Sequence, residues 1–453
     1  MSGYLNSITP DSFSGILFAL EGIAHTVTLI NGPTGCKFYH SATSDNQTIR
    51  QFEFDPLNYP EKWYFGQPRV PCTYLDSGDY IYGSREKLTE ALEFLQDHVA
   101  FDLLCIVNSP GAALIGDDLV GIAGTVIRDK PVVLVETPGF SSDICTGYEN
   151  AVLHLLENLL IGETPYIAPD KESVSRHSPQ LRRSAEPDTQ KRPRVNILGL
   201  SIFHKYYAGD AAELERLFNL CGIDVNCILC AGCSLESIQN IEHADLNVVL
   251  HPEYGLRTAN YLNEHFGTLF YRGDGLPLGF SAVESFFSDI CEALDTETSA
   301  FTEECDRARG RVYPYISRVN SLTGLPKGVE FAVEGTYSEL YSYIRFLTQY
   351  LGMIPECASI QNIQSDCAKG RLQELLTGLG LPQILDCDIS QTRSELVLGS
   401  GNTIAGLRAR KHEFVGIETC LPTLGYIDII PKTHLGIQGA LMLVEQVLNG
   451  LLF

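Results

Sequence analysis

Positive charge is what this chain is short of: 32 Lys and Arg face 56 Asp and Glu, a formal net charge of −24. Nucleic acid is bound by basic surfaces, so that deficit argues against a nucleic-acid partner. The main basic concentration (Arg182, Arg183, Lys191, Arg192 and Arg194) lies in a stretch with no apolar period, where a solvated connector accounts for it. No apolar run reaches the ~18–20 residues a membrane-spanning helix needs. No basic leader precedes an apolar stretch at the N-terminus, so a cytoplasmic protein without a membrane partner is expected. The Gly-x-x-x-x-Gly-Lys-Ser/Thr signature of a phosphate-cradling loop is missing, which argues against ATP hydrolysis by this chain. No short internal repeat is evident.

What is present describes a soluble globular protein: 453 residues, 44% hydrophobic and 19% charged, enough for two or three cores. Fourteen cysteines without a secretory leader read as thiols and metal ligands in preference to disulfides. Cys105, Cys221, Cys291 and Cys387 sit in apolar surroundings, where a cysteine packs as a small hydrophobe.

The periodicity predicts an α/β protein of three Rossmann- or flavodoxin-like units with parallel sheets. In residues 1–168, Lys87 to His98 reads as a helix, and Leu103 to Val107 and Pro131 to Val135 as buried strands. Residues 169–194 hold four Pro and four Ser and read as a linker. A middle unit, 195–315, opens with the strand Val195 to Leu198 and includes a helix N-capped by Ser234. Cys227 and Cys230 fall on an apparent strand, where an offset of three directs them to opposite faces. Glu303 to Val319 reads as a bridging helix that Pro314 should kink or break. The C-terminal unit, 316–453, holds a strand at Val329 to Val333, a helix from Ser338 to Leu351 and a last helix from Gln438 to Leu452.

Three segments carry chemistry. Ile30-Asn31-Gly32-Pro33-Thr34-Gly35-Cys36 is a Gly/Pro turn ending in a thiol. Pro71-Cys72-Thr73-Tyr74-Leu75-Asp76 follows, then Leu114-Ile115-Gly116-Asp117-Asp118-Leu119. Glycines let a backbone approach a bulky group, and thiolates are the usual protein ligands of iron–sulfur clusters. In this order the segments resemble the component 1 proteins of the nitrogenase superfamily. Val135-Glu136-Thr137-Pro138-Gly139-Phe140, Gly147-Tyr148, Val195 to Gly199, Leu276 to Gly279, Gly335-Thr336 and Gly436 to Ala440 resemble later landmarks of the same family.

The resemblance implies an iron–sulfur cluster, 4Fe–4S or P-cluster-like, shared at a subunit interface. Gly32, Gly35, Cys36, Cys72 and Ser109 would form the binding residues, with Cys36 and Cys72 the metal ligands. The family commonly places a third cysteine six residues before the glycine of Gly-Asp-Asp. Here that position is Pro110, and the adjacent Ser109 is more ordinarily a turn residue before proline. Two thiolates do not complete a four-iron site, so a partner would supply the rest. Catalytic subunits hold an iron–sulfur cofactor by a cysteine after a middle strand and a histidine near the C-terminus. This chain has His251-Pro252 at the first place and His434 one residue out of register at the second. The implied role is therefore a β-type subunit, not catalytic alone.

Cys227, Cys230 and Cys233 lack the fourth cysteine of a ferredoxin run, and packing accounts for them. Asp117 and Asp118 suit a helix N-terminus. His204-Lys205 suits either a surface loop or a substrate cavity. The family implies as partners a homologous α-type chain (α2β2-like, or a second copy of this chain) carrying an iron–sulfur cofactor, and an ATP-dependent 4Fe–4S iron protein. The function expected is electron relay within a nitrogenase-like two-component reductase, a thioether-cleaving one in a divergent member. A scaffold for cofactor assembly and a tetrapyrrole reductase subunit are the alternatives.

Overall fold

The computed structural model describes residues 10–37, 70–136, 142–160, 192–361, 363, 365–421 and 428–452. The family landmark at Thr137 to Phe140 and linker residues 169–191 lie outside these. Among the described residues, eleven strands form three wholly parallel sheets. Strands β1 (Thr26–Asn31), β2 (Leu103–Asn108) and β3 (Val132–Glu136) pair in that order. The second sheet contains β4 (Arg194–Leu198), β5 (Asp224–Ile228), β6 (Leu246–Val249) and β7 (Phe270–Arg272), ordered β5-β4-β6-β7. The third contains β8 (Glu330–Gly335), β9 (Ile354–Ile360), β10 (Leu396–Ser400) and β11 (Val415–Cys420), ordered β11-β10-β8-β9. Runs such as Leu-Leu-Cys-Ile-Val-Asn in β2, buried at every residue, are what a sheet covered on both faces requires.

Strand order fixes where a ligand can sit. In the second sheet the chain leaves β4 to one side and returns as β6 on the other. In the third, β8 is flanked by β9 and β10 in the same way. Each such reversal opens a crevice at the carboxyl ends of the strands. The sheets are tied by Glu253, fully buried, whose carboxylate accepts the Ser338 N–H and hydroxyl at 2.8 Å each. The final helix, Gly436–Leu452, packs on the helices Tyr207–Leu220, Phe280–Leu294 and Ser299–Thr323.

Four expectations need correction or refinement. Pro314 lies inside an unbroken helix, Ser299–Thr323. Both Pro314 and Gly310, whose carbonyl loses its bond, are exposed, so that carbonyl is open to solvent. Cys387 is not a free core thiol, because β9 brings Cys357 within disulfide reach of it, at a Cα separation of 5.7 Å. Cys227 and Cys230 do not share a strand: β5 ends at Ile228, and Cys230 turns at φ 57°. That turn lets the Cys230 N–H meet Cys233 Sγ at 3.2 Å and Gly232 bond Gly22. Asp118 N-caps the helix Leu119–Val126, as its position suggested, while Asp117 accepts from the Ser84 N–H and hydroxyl.

The helices Ser12–Glu21 and Ile144–Leu159 pack backbone to backbone. A Cβ on Gly15 would stand 2.2 Å from the Ile144 carbonyl oxygen, and one on Gly147 would stand 2.0 Å from that of Ser12. Gly147→Ala is expected to cost about 3 kcal/mol, the upper end of overpacking, because backbone and not a side-chain tip must move. A urea midpoint matching the parent's would refute this contact.

Candidate functional site

Two places hold concentrated chemistry. The first is at the end of β1. Residues 70–75 run beside that strand: Ile30 N–H donates to Pro71 O, Thr73 N–H to Ile30 O and Leu75 N–H to Gly32 O. Asn31 Nδ2 donates to Asn108 Oδ1 at 3.0 Å, and the Thr73 hydroxyl donates to Asn31 Oδ1 at 3.0 Å. Thr73 Oγ1 in turn accepts the Gly32 N–H at 3.1 Å. These buried bonds hold the Gly-Pro-Thr-Gly-Cys turn on the sheet edge.

Around that turn the structure brings Cys36, Cys72 and Ser109 together. Cys72 Sγ donates to Gly32 O at 3.3 Å, and the Ser109 hydroxyl reaches Cys36. A Cβ on Gly32 would meet Ser109 Oγ at 2.6 Å, so Gly32 makes room for Ser109, while nothing stands within 4 Å of a Cβ on Gly35. Ser109 also N-caps Pro110–Ala113. Burial pushes both thiols up, Cys72 to about 12, so they carry protons unless a metal displaces them. Among the described residues no third Cys, His, Asp or Glu joins these two in a ligand set. Ile81 and Leu114, 74% and 89% exposed, lie on the short helices Asp79–Tyr82 and at the end of Pro110–Ala113, whose Gly111 meets Tyr80. This donor set fits a cluster that a second chain completes, and does not fit one held by this chain alone.

The second place is a cavity of about 720 Å³ where the crevices of the second and third sheets face each other. His204 comes from the loop after β4, Thr336 and Glu339 from the N-cap and first turn of the helix Tyr337–Gln349 after β8, and Ser400 and Thr403 from the N-cap and first turn of the helix Gly401–Ala409 after β10. Phe18, Phe203 and Tyr254 form an aromatic wall, with centroids 5.4 and 4.8 Å apart for the successive pairs. His251, which follows β6, stacks beneath His204 at 3.9 Å. One ligand atom each of His204, His251 and Glu339 lies within 4.8 Å of the others. Of the pair His204-Lys205, only the histidine lines the cavity, since Lys205 turns to Glu418 and Asp428 at 3.3 and 2.6 Å.

Burial sets the charge of this cavity. It lowers His204 to about 3 and His251 well below its ordinary value, so both rings are neutral at physiological pH. Glu339 is raised to about 7 by burial, against hydrogen bonds from Thr336. His434 is not part of the cavity. Its Nδ1 meets the Tyr343 hydroxyl and its Nε2 meets Gln446 Oε1, both at 2.7 Å, so neither nitrogen is open to a metal. Cys227, Cys230 and Cys233 are buried in the core that joins the first two sheets. Glu339 is signalled in the sequence only by Thr336-x-x-Glu339 after a strand, a capping-box signature, and the structure shows the box complete.

With this geometry in hand, known proteins are informative. A family described as nitrogenase component 1 type oxidoreductase matches residues 12–452. The chain is 26% identical over 350 residues to a light-independent protochlorophyllide reductase subunit of Synechococcus sp. (strain CC9605), covering 76% of this chain and 62% of that protein. It is 28% identical over 346 residues to the corresponding subunit of Parasynechococcus marenigrum (strain WH8102), covering 73% and 61%. It therefore spans less than two thirds of these relatives' length. A solved structure described as nitrogenase Cp1 at pH 6.5 shares the fold, with a TM-score of 0.71 and 17% identity, covering 98% of this chain and 92% of that one. Among the described residues no helix is long and apolar enough to cross a membrane.

Glu339→Gln isolates the buried acid, since glutamine keeps the capping box. The folded chain holds a proton on Glu339 up to about pH 7, whereas an unfolded one releases it near 4.5. The parent's stability from this group is therefore full below 4.5 and lost as pH rises to about 7. The variant should gain on the parent by on the order of 3 kcal/mol across that window and no further above it. Parallel denaturation curves for the two proteins would show that Glu339 titrates normally.

Proposed function

The chain belongs to the nitrogenase component 1 type oxidoreductases, and on that premise we propose that it is a β-type subunit of a nitrogenase-like two-component reductase. The observation that carries this reading is the convergence of Cys36 and Cys72 on one turn at the end of β1, beside Ser109 and an exposed apolar rim. Cys36 and Cys72 would hold part of an iron–sulfur cluster, 4Fe–4S or P-cluster-like, and an opposing chain would supply the remaining ligands. Such a cluster supplies one-electron transfer. This chain's residues orient the two sulfurs through the Asn31, Thr73 and Asn108 bonds, and bury Cys72 away from water.

The opposing chain is a homologous α-type subunit or a second copy of this one. Electrons come from a separate ATP-dependent iron protein, since this sequence carries no phosphate-cradling motif, and they continue to a cofactor in the α-type partner. The assembly works in the cytoplasm. A second reading, reduction of a tetrapyrrole ring, draws on the protochlorophyllide reductase relatives and on the aromatic-walled cavity, whose size suits a large planar ligand.

Iron per chain, measured on protein isolated anaerobically from its host beside Cys36→Ala and Cys72→Ala, decides the first reading. Iron in the parent that falls in both variants supports it. An iron-free parent, or iron indifferent to both substitutions, sinks it. Absorption of a co-purifying chlorin-type pigment would favour the tetrapyrrole reading.

A further inference from the structure

Electron relay through the thiol turn leaves the chemistry of the cavity unused. His204 is 7% exposed and lines it, and its Nε2 has no hydrogen-bond partner. Nδ1 of the same ring accepts the Ser201 N–H at 3.0 Å. That bond fixes the tautomer of the neutral ring: the proton must reside on Nε2, which becomes a buried donor. Leaving such a donor unmatched is unfavourable, so its placement favours an occupant that accepts a hydrogen bond.

Glu339 offers a second donor at the same place. Its Oε2 accepts the Thr336 N–H at 2.8 Å, so a proton on this acid resides on the other oxygen. Two donors whose residues approach within 4.8 Å can reach one oxygen, because each bond spans about 2.8 Å. Seen only as a donor set, His204, His251 and Glu339 suggest a cation site. The tautomer argues otherwise, since a metal-bound imidazole donates from its second nitrogen, whereas Nδ1 of His204 accepts.

The walls restrict the occupant further. Glu334, Glu339 and Asp388 line the cavity, and the one cationic side chain among its described lining residues is Arg410, which donates to Ser390 O. An anionic ligand would be repelled, while the aromatic wall favours an apolar body.

We propose that this chain has a ligand site of its own, for an uncharged, largely apolar molecule whose carbonyl oxygen is held by His204 Nε2–H and the Glu339 carboxyl. This goes beyond the β-type role, in which the reacting ligand lies in the partner, and does not depend on a cluster at Cys36. Two donors on one carbonyl polarise it towards reduction, as in an oxyanion hole.

Carbon-13-labelled acetophenone is the probe, and its carbonyl stretch bound to the full-length chain is the readout. In the parent the band should lie below its position in bulk water and rise as pH passes through about 7, where Glu339 ionises. The titratable groups around Glu339 are His204, His251, Glu253, Tyr254, Asp210, Tyr343 and Cys420, with Glu334 on the same cavity wall. Asp210 also titrates at about 7, so the pH dependence must survive in Asp210→Asn. In Glu339→Gln, whose amide can still donate, the low band should persist without the pH dependence. His204→Phe should raise the band and weaken binding about tenfold, the loss of one hydrogen bond. Failure to bind acetophenone, a band at its aqueous position, or a parent band independent of pH would overturn the proposal. None of these outcomes bears on iron at Cys36, so the two readings fail separately.

Discussion

Parallel strand pairing is the constraint on which the rest of this molecule depends. Each parallel neighbour must be reached by a crossover, so every residue just beyond a strand emerges on the same edge of its sheet. In the second sheet that edge receives His204 and His251, and in the third it receives Thr336, Glu339 and Ser400. Because both strand orders reverse at an internal strand, each sheet opens a crevice there, and the cavity lies where the two crevices meet. The same rule places Gly32 to Cys36 and Ser109 together, one following β1 and the other β2, in register through Asn31 and Asn108.

Burial then decides the protonation of nearly everything that matters. The histidines of the cavity are driven neutral, Glu339 is driven towards its acid form, and the two turn thiols are kept protonated. The fold tolerates these groups because their remaining atoms are bonded to the backbone: His204 to Ser201, Glu339 to Thr336, and Glu253 to Ser338. Asp210 plays the same part at the seam with the last helix, accepting the Thr433 hydroxyl at 2.6 Å and the His434 N–H at 3.2 Å. Polar contacts of this kind set position more than stability, since each trades water for protein at little net gain.

The strands and caps were legible because they are written in adjacent residues. Buried β2 is a continuous apolar run, Ser234 caps the helix Leu235–Gln239 by its own hydroxyl, and Asp118 caps the helix after it. The pairing of Cys357 with Cys387 was not legible, because it depends on β9 passing a turn 30 residues further on. Nor was the exit of Cys230 from its strand, which rests on a close approach to Gly22 from another sheet's helix. Pro314 misled for a related reason: proline breaks a helix where the orphaned carbonyl is buried, and solvent exposure is a tertiary property. In the candidate site, the thiol turn follows one segment and could be read directly. Glu339 faces His204 across 135 residues of sequence that only the strand orders bring together.

The two centres differ in completeness, and that difference bears on how the chain works. The thiol turn presents two sulfurs, no third ligand among the described residues, and an apolar rim facing solvent. If it holds a cluster, as proposed, a second surface would have to complete it and exclude water. The cavity draws its donors, acids and aromatic wall from all three sheets' surroundings within one chain, so it needs nothing from outside to hold a ligand. A subunit that merely relayed electrons would gain nothing from a neutral, unpartnered histidine donor in the lining of such a chamber. Here the crevice holds a histidine donor, its tautomer set by Ser201, where an acceptor would sit. On the two proposals together, the chain contributes half of an interface and the whole of a binding chamber.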